Sequence, residues 1–431
     1  MSKLIGAIIA LLLIVTSIGA YALYEGDSDD DETDPDTETK DQWTFMVYLD
    51  ADNNLEGAGI NDLNEMEEAG STEDINIVAL MDRCEGYDTS NGDWEDWRYY
   101  YIDKDPAGAN EEIISTEIAY PHLEVGAEPN MGDPQTLIDF VTWTMAEYPA
   151  EHYMLSLWDH GGGIRGVCWD DSTPDADNLD LLELKSAFST IQNVTGENID
   201  IIGFDACLMA GASISYQLAP YCDIIVSSEA TESNDGWPYE LLLLDLVPQP
   251  TMAPEVLARK LVEHYVESYG VIEPWVTQSA FVTADLMQVW TDLDAVCQIL
   301  IDNLPDYEAS VADSRENTES YDLTKEGPYL PEMSGYPMSD LWDFLEELER
   351  AEHGTAFDAE LMNAITAVKN SIAEARIAYG SGTDMPDSHG MSIYFPQTDN
   401  SGTSTYSDSY NGLDYAEDHL WDDFLMAYYL D

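Results

Sequence analysis

From residue 42 onward the chain alternates short, almost wholly apolar runs with longer amphipathic stretches, and this limits its architecture more than any other feature. The runs are Trp43–Leu49 (WTFMVYL), Ile75–Met81 (INIVALM), Tyr153–Trp158 (YMLSLW), Ile199–Phe204 (IDIIGF) and Ile224–Ser227 (IIVS). Each has strand length, and a run that is apolar throughout marks a strand covered on both faces. Helices are expected between them. One follows the turn Asp50–Asn54 and runs to about Ala69, one spans Pro134–Glu147 behind the N-cap Asp133, and one covers Leu208–Leu218. This succession predicts βαβ units, hence an α/β fold with a mainly parallel central sheet and helices on both faces. Trp97–Ile102 reads as a hairpin or edge strand.

Beyond Thr251 the pattern is mostly helical, over 253–269, 286–304, 339–351 and 357–379, with a closing strand at Met391–Phe395 and a terminal helix near 416–430. The expected organisation is an α/β core over residues 42–250 and a helical C-terminal accessory region over 251–431. Two segments precede the core. Lys3 leads an apolar run from Leu4 to Leu23, which contains Ala20-Tyr21-Ala22. Residues 1–24 therefore read as a signal peptide or an N-terminal membrane anchor. Residues 25–41 are nearly all acidic, Thr or Ser, and read as a disordered linker. Basic charge before the apolar run and acidic charge after it keep the N-terminus inside. The folded part is thus expected outside the cytoplasm, secreted or anchored.

The 87 acidic residues outnumber the 14 basic ones, for a formal charge of −73. That balance excludes nucleic acid and anionic lipid as partners, because both would be repelled. The acids are spread over every segment, which reads as a solvated acidic surface suited to high salt and suggests a halophilic source. Cys84, Cys168, Cys207, Cys222 and Cys297 form no CxxC pair and no zinc spacing, and an odd count in an exported chain leaves a free thiol.

Ligands of an open parallel sheet bind beyond the carboxyl ends of its strands. The third apolar run leads straight into Asp159-His160-Gly161-Gly162-Gly163, and the fourth into Asp205-Ala206-Cys207-Leu208-Met209. On neighbouring strands, His160 and Cys207 would share one rim. There an imidazole can take the proton of a thiol. A helix starting at Cys207 would lower its pKa. The amides of Gly161 and Cys207 are candidate oxyanion donors. Cys168 falls in a hairpin, Cys222 before a strand and Cys297 on a helix, and none has a histidine at a matching strand end. His389 is read as structural.

These segments resemble the clostripain-like cysteine peptidases, whose fold is caspase-like. The matching stretches are Trp43–Tyr48, Asp52-Asn53-Asn54-Leu55, His160–Gly163, Gly203–Met209, Ser227-Ser228-Glu229, Gly236–Tyr239, Asp340–Phe344 and Ser392–Pro396, in family order. The separation of 47 positions from His160 to Cys207 also approaches the ~50 found in caspases. The resemblance implies a caspase-like α/β/α sandwich and an endopeptidase that cuts peptides or proteins after Arg or Lys through a Cys–His dyad. It implies Asp205 at the base of the S1 pocket, with Asp235 and Trp237 in the loop that walls it. Asp205 could instead be a helix N-cap. Some members of the family use calcium. Acidic pairs such as Asp170-Asp171 could hold it, but none has EF-hand spacing, so no metal ligand is assigned and no cofactor is required. Self-cleavage between the two catalytic residues is not expected, because only Arg165 and Lys185 are basic in that interval. A monomer is expected. The alternative reading is an inactive relative or an acidic cell-surface peptide-binding protein.

Overall fold

Trp43, Phe45, Val47, Leu49 and Ala51 turn to one side of their strand and Met46 and Tyr48 to the other, and all are buried. Successive strand side chains point to opposite faces, so an unbroken apolar run needs a cover on each. The computed structural model has both covers. It describes residues 40–108, 110, 112–121, 130–173, 176–321, 338–351, 358–396 and 410–430. The N-terminal apolar run and nearly all of the acidic linker lie outside these residues.

In chain order the strands are β1 (Asp41–Ala51), β2 (Ile75–Arg83), β3 (Arg98–Tyr101), β4 (Thr116–Glu117), β5 (Ala150–Trp158), β6 (Val167–Asp170) and β7 (Asp177–Leu179). They continue with β8 (Ile199–Asp205), β9 (Cys222–Ser227), β10 (Thr277–Val282), β11 (Met338–Asp340), β12 (Arg376–Ser381) and β13 (Ser392–Tyr394). Nine form one sheet, in the order β12-β10-β9-β8-β5-β1-β2-β3-β4. The five central strands, from β9 to β2, run parallel. Antiparallel strands flank them on both sides.

One face is covered by α1 (Glu56–Ala69), through Ile60, Leu63 and Met66. Two later helices share that face, Tyr239–Leu246 and Pro254–Tyr269. The other face meets α2 (Pro134–Glu147), where the Asp133 carboxylate accepts the Gln135 amide at 2.8 Å as an N-cap. The same apolar layer takes in α3 (Leu181–Thr195), α4 (Ala212–Leu218), the helix Thr283–Asp302 and the C-terminal helix Trp421–Leu430. The result is an α/β/α sandwich.

Several elements differ from the sequence reading. Residues 357–379 are not one helix: Asp358–Ala375 is helical and β12 follows directly. The helical period is lost where Arg376–Ser381 pairs with β10, itself a strand that carries Gln278 and Ser279 and so lacks an apolar signature. The closing strand at Met391–Phe395 does not join the main sheet. Its core, β13, pairs with β11 and bridges Gly211. The second half of the chain instead enters the sheet through β10 and β12. The terminal helix is two, Asp414–Asp418 and Trp421–Leu430.

Candidate active site

β5 and β8 lie side by side and parallel, with Trp158 opposite Asp205. Chains leaving two such strands emerge on the same rim, so His160-Gly161 and Ala206-Cys207 meet there. The approach is close. A Cβ on Gly161 would stand 2.0 Å from the carbonyl oxygen of Cys207 and 2.8 Å from its amide nitrogen, so only glycine fits. Cys207 and His160 are both half-buried, and both line a cleft of about 190 Å³ with Leu55, Trp158, Asp205 and Glu232.

Cys207 does not begin a helix. Residues 206–210 form an irregular turn, and α4 starts only at Ala212. Leu208 sits at φ 67°, a left-handed conformation that a branched side chain rarely takes. Its amide donates to the Ala230 carbonyl at 3.0 Å, and the Ala210 amide donates to the Ser228 carbonyl at 2.8 Å. A helix dipole acts within its first turn, so the expected lowering of the thiol pKa is absent. Burial pushes the Cys207 thiol up to about 12. The Glu232 amide opposes this by donating to Sγ at 3.2 Å.

His160 Nε2 lies 2.9 Å from Asn54 Oδ1. With that oxygen accepting, the proton is on Nε2 and Nδ1 is the basic nitrogen. Burial pulls the imidazole below its ordinary range. Thiol and imidazole are therefore both neutral at neutral pH. Asn53, the neighbour of Asn54, donates to Asp159 Oδ1 at 2.6 Å and to the Trp169 carbonyl at 3.1 Å. The tripeptide Asp52-Asn53-Asn54 thus fixes the chain on both sides of His160.

The floor of the cleft is acidic. Asp205 is buried, and its Oδ2 accepts from the Trp237 amide at 3.1 Å and the Tyr239 hydroxyl at 2.9 Å. Burial raises its pKa to about 6, against those stabilising donors. Glu232 is pushed well above the carboxylate range, first by burial and then by the Asp205 charge. Gln278 on β10 holds Glu232 Oε1 at 2.9 Å. Thr277, also on β10, accepts the amides of Glu229 and Ala230 at 2.9 and 3.0 Å, which anchors the loop after β9. Asp62 from α1 accepts the Trp158 indole at 2.5 Å, and burial and Asp205 raise its pKa. Gly236, at φ 66°, lies against both acids: a Cβ there would be 2.5 Å from Asp62 Oδ2 and 3.3 Å from Asp205 Oδ2.

The other S1 candidates sit differently. Asp235 is exposed and outside the lining set, with its amide on Ser233 Oγ at 3.2 Å. Trp237 is fully buried beneath the cleft. Its ring packs on Gly203 of β8, where a Cβ would come within 2.4 Å, and only its amide serves Asp205. Glu232, Asp62 and Gln278 were not singled out from sequence, where nothing distinguishes them from other polar residues. Asn54 was readable in part, as the end of Asp52-Asn53-Asn54. The remaining cysteines are buried. His389 stacks on Trp342 with Nδ1 3.3 Å from Asp340, away from the cleft.

Residues 47–428 match the family model described as the clostripain family, Peptidase_C11. Clostripain of Hathewaya histolytica is 35% identical over 225 residues, which span 46% of this chain and 40% of that protein. Among solved structures, a secreted C11 cysteine protease from Bacteroides thetaiotaomicron with an irreversible peptide inhibitor aligns at TM-score 0.63 and 20% identity, covering 89% of this chain and 99% of the other. An inactive zymogen C11 protease from Parabacteroides distasonis aligns at TM-score 0.61 and 19% identity, covering 88% and 99%. At those identities the likeness is one of fold. The family match spans nearly the whole folded part, and by it this chain belongs to the clostripain family of cysteine peptidases.

Proposed function

We propose that the protein is a cysteine endopeptidase that cleaves after Arg or Lys, with Cys207 as nucleophile and His160 as base. The observation that carries this reading is the shared cleft, which a thiol and an imidazole line together with buried Asp205 and half-buried Glu232. A guanidinium or ammonium group entering it would meet an ionised Asp205 beside a protonated Glu232. Burial is the main reason the Cys207 thiol is raised and the Glu232 and Asp205 charges add to it; a bound cation offsets that added part, so substrate itself favours the reactive form.

In the reaction, His160 Nδ1 takes the Sγ proton as the sulfur attacks the scissile carbonyl carbon. The resulting oxyanion is placed to accept from the amides of Gly161 and Cys207. Collapse breaks the C–N bond, and the imidazolium gives its proton to the departing amine. Water, deprotonated by the same nitrogen, then hydrolyses the thioester and restores the thiol. Asn54 is a positioning residue that holds the tautomer.

Export is part of the same proposal, on the strength of Lys3, the apolar run and the Ala20-Tyr21-Ala22 site, and of a Bacteroides relative named as secreted. Among the described residues no helix is long and apolar enough to cross a membrane.

Labelling tests the reading directly. A peptidyl-arginine acyloxymethyl ketone should add one adduct, mapped to Cys207 by peptide mass, and Cys207→Ala and His160→Ala should retain the wild-type melt but lose hydrolysis. Modification at another cysteine, or substantial hydrolysis by both variants, would overturn the dyad.

A further inference from the structure

Three of the segments that carry the family resemblance have no part in the proposed chemistry, yet the fold brings them together behind the Cys207 turn. They are Ser227-Ser228-Glu229, the stretch that opens at Asp340, and the one that opens at Ser392. The turn itself is held from two sides. On one, Leu208 and Ala210 donate their amides to the Ala230 and Ser228 carbonyls at 3.0 and 2.8 Å. On the other, the Ala210 carbonyl accepts the Ser392 amide at 2.9 Å, and Gly211 bridges Ser392 of β13. Leu208 needs both holds, because its left-handed backbone persists only where the surroundings over-determine it.

Glu229 joins the two sides. Its backbone lies in the first, and its buried side chain crosses to the second, where Oε2 accepts the Gly390 amide at 2.7 Å. Gly390 stands two residues before Ser392. The preceding amide, of His389, goes to Oδ2 of Asp340, which is fully buried at the end of β11. The two carboxylates meet there: burial, and then the Asp340 charge within hydrogen-bonding reach, push Glu229 well above the carboxylate range. Glu229 Oε1 is buried with no hydrogen-bond partner among the described residues. Neither neighbouring cation supplies one. Arg376 donates to the His389 carbonyl with its guanidinium over the Tyr379 ring, and His389 Nδ1 faces Asp340 at 3.3 Å.

Two buried carboxylates in contact do not both ionise without a cation between them, so one holds a proton. The donors around them decide which. Asp340 accepts the Asp343 amide at 2.6 Å, as N-cap of the helix Leu341–Arg350, accepts the His389 amide and faces the His389 ring. Glu229 accepts one amide, and the Tyr321 hydroxyl nearby donates to Ser388 Oγ at 2.7 Å. The proton therefore belongs on Glu229 Oε1, directed at Asp340, where it satisfies the orphan oxygen. We infer that Glu229 is an uncharged positioning residue whose carboxyl donates to Asp340 and accepts from Gly390, and so locks together the two holds on the Cys207 turn. Its kinetic consequence rests on Cys207 being the nucleophile; the bond itself does not.

Glu229→Gln keeps both bonds, because the side-chain NH₂ can donate to Asp340 while the oxygen accepts from Gly390; Glu229→Ala removes both. On a peptidyl-arginine coumarin amide, Gln should hold kcat and KM near wild type, while Ala should lower kcat about tenfold at similar KM, the mark of a displaced nucleophile. Amide hydrogen exchange needs no substrate. In Glu229→Ala it should quicken about tenfold at Leu208 and Ala210 while β5 and β8 keep their protection. The infrared band of protonated carboxyls should be weaker in Glu229→Gln than in the wild type at neutral pH. A Gln variant as impaired as Ala, or one with an unchanged carboxyl band, would show Glu229 to be ionised and overturn the inference. So would Glu229→Ala with wild-type kcat and exchange, or with protection lost evenly across the sheet, which is the purely structural outcome. Should Glu229→Ala fail to fold, the Gln kinetics and the infrared difference still decide. A wild type that cleaves no basic peptide would count against the proposed function alone, and exchange and the infrared band would then decide here.

Discussion

Asp205→Asn should make the protein more stable and less active at once, and the two effects can be sized separately. The folded-state pKa of Asp205 is about 6, raised by burial from 3.8. For a carboxylate whose folded pKa is raised, the stabilising form is the protonated one. That contribution is complete below pH 3.8 and is lost as pH rises through about 6. Two pKa units correspond to about 3 kcal/mol. Above pH 7 the wild type carries this penalty and the amide does not. Some of the gain is returned when Glu232, relieved of the Asp205 charge, ionises more readily, so a net gain of roughly 1–3 kcal/mol is expected. Geometry permits it: an Asn oxygen can accept from the Trp237 amide and Tyr239 hydroxyl, and its NH₂ can donate toward Glu232. Cleavage after Arg or Lys should meanwhile fall about 10²-fold in kcat/KM, the loss expected from a charged hydrogen bond of ~3 kcal/mol. Denaturant melts of both proteins at pH 4 and pH 8 should nearly coincide at the lower value and separate at the higher. In the wild type, kcat/KM for basic peptides should decline below pH 6 as Asp205 takes a proton, with a flatter profile in the variant. Equal losses for neutral and basic P1 substrates, or an unchanged melt at pH 8, would refute the argument.

Asn54→Ala should lower kcat about tenfold with little change in KM, and shift the acidic limb of the pH profile, because the base loses the group that fixes its tautomer; unchanged kinetics would remove Asn54 from the mechanism. Raising KCl from low to molar concentration should raise the melting temperature, as screening relieves repulsion in a chain of formal charge −73; a flat or falling curve would speak against a salt-adapted surface.

The central sheet was legible because its parallel strands are apolar at nearly every central position, and the rim that joins His160 to Cys207 followed from the topology those strands impose. What stayed hidden has a physical reason in each case. Thr277, Gln278 and Ser279 on β10 are buried polar residues whose side chains serve the loop after β9 and its surroundings, so the strand lacks a hydrophobic signal. The Cys207 turn looked helical because Leu208, Met209 and Ala210 favour helices, while backbone bonds to Ala230 and Ser228 override that preference. Reading the acids as a solvated coat missed Asp50, Asp52, Asp62, Asp82 and Glu229, all of them buried. Carboxylates paired across distant segments look no different in sequence from those that face water.

The place of β10 in the sheet limits how the chain can be divided. Both members of the proposed dyad precede residue 250, which suggests a self-sufficient first half, yet β9 would end that fragment as an uncovered outer strand. Val226, Ile225 and Ile224 pair with Ala280, Phe281 and Val282 in the intact protein. Without them, a row of backbone donors and acceptors on an apolar strand would be open to any other chain. Such a fragment should aggregate on expression, and its Glu229–Glu232 loop would lose Thr277 and Gln278 as anchors. Adding residues 251–431 as a separate polypeptide should rescue solubility only if that piece can supply β10 before the fragment finds itself. The two halves are therefore heritable and tradable only together, and a truncation or gene fusion that respects this fold has to break it elsewhere than at the end of the catalytic segment.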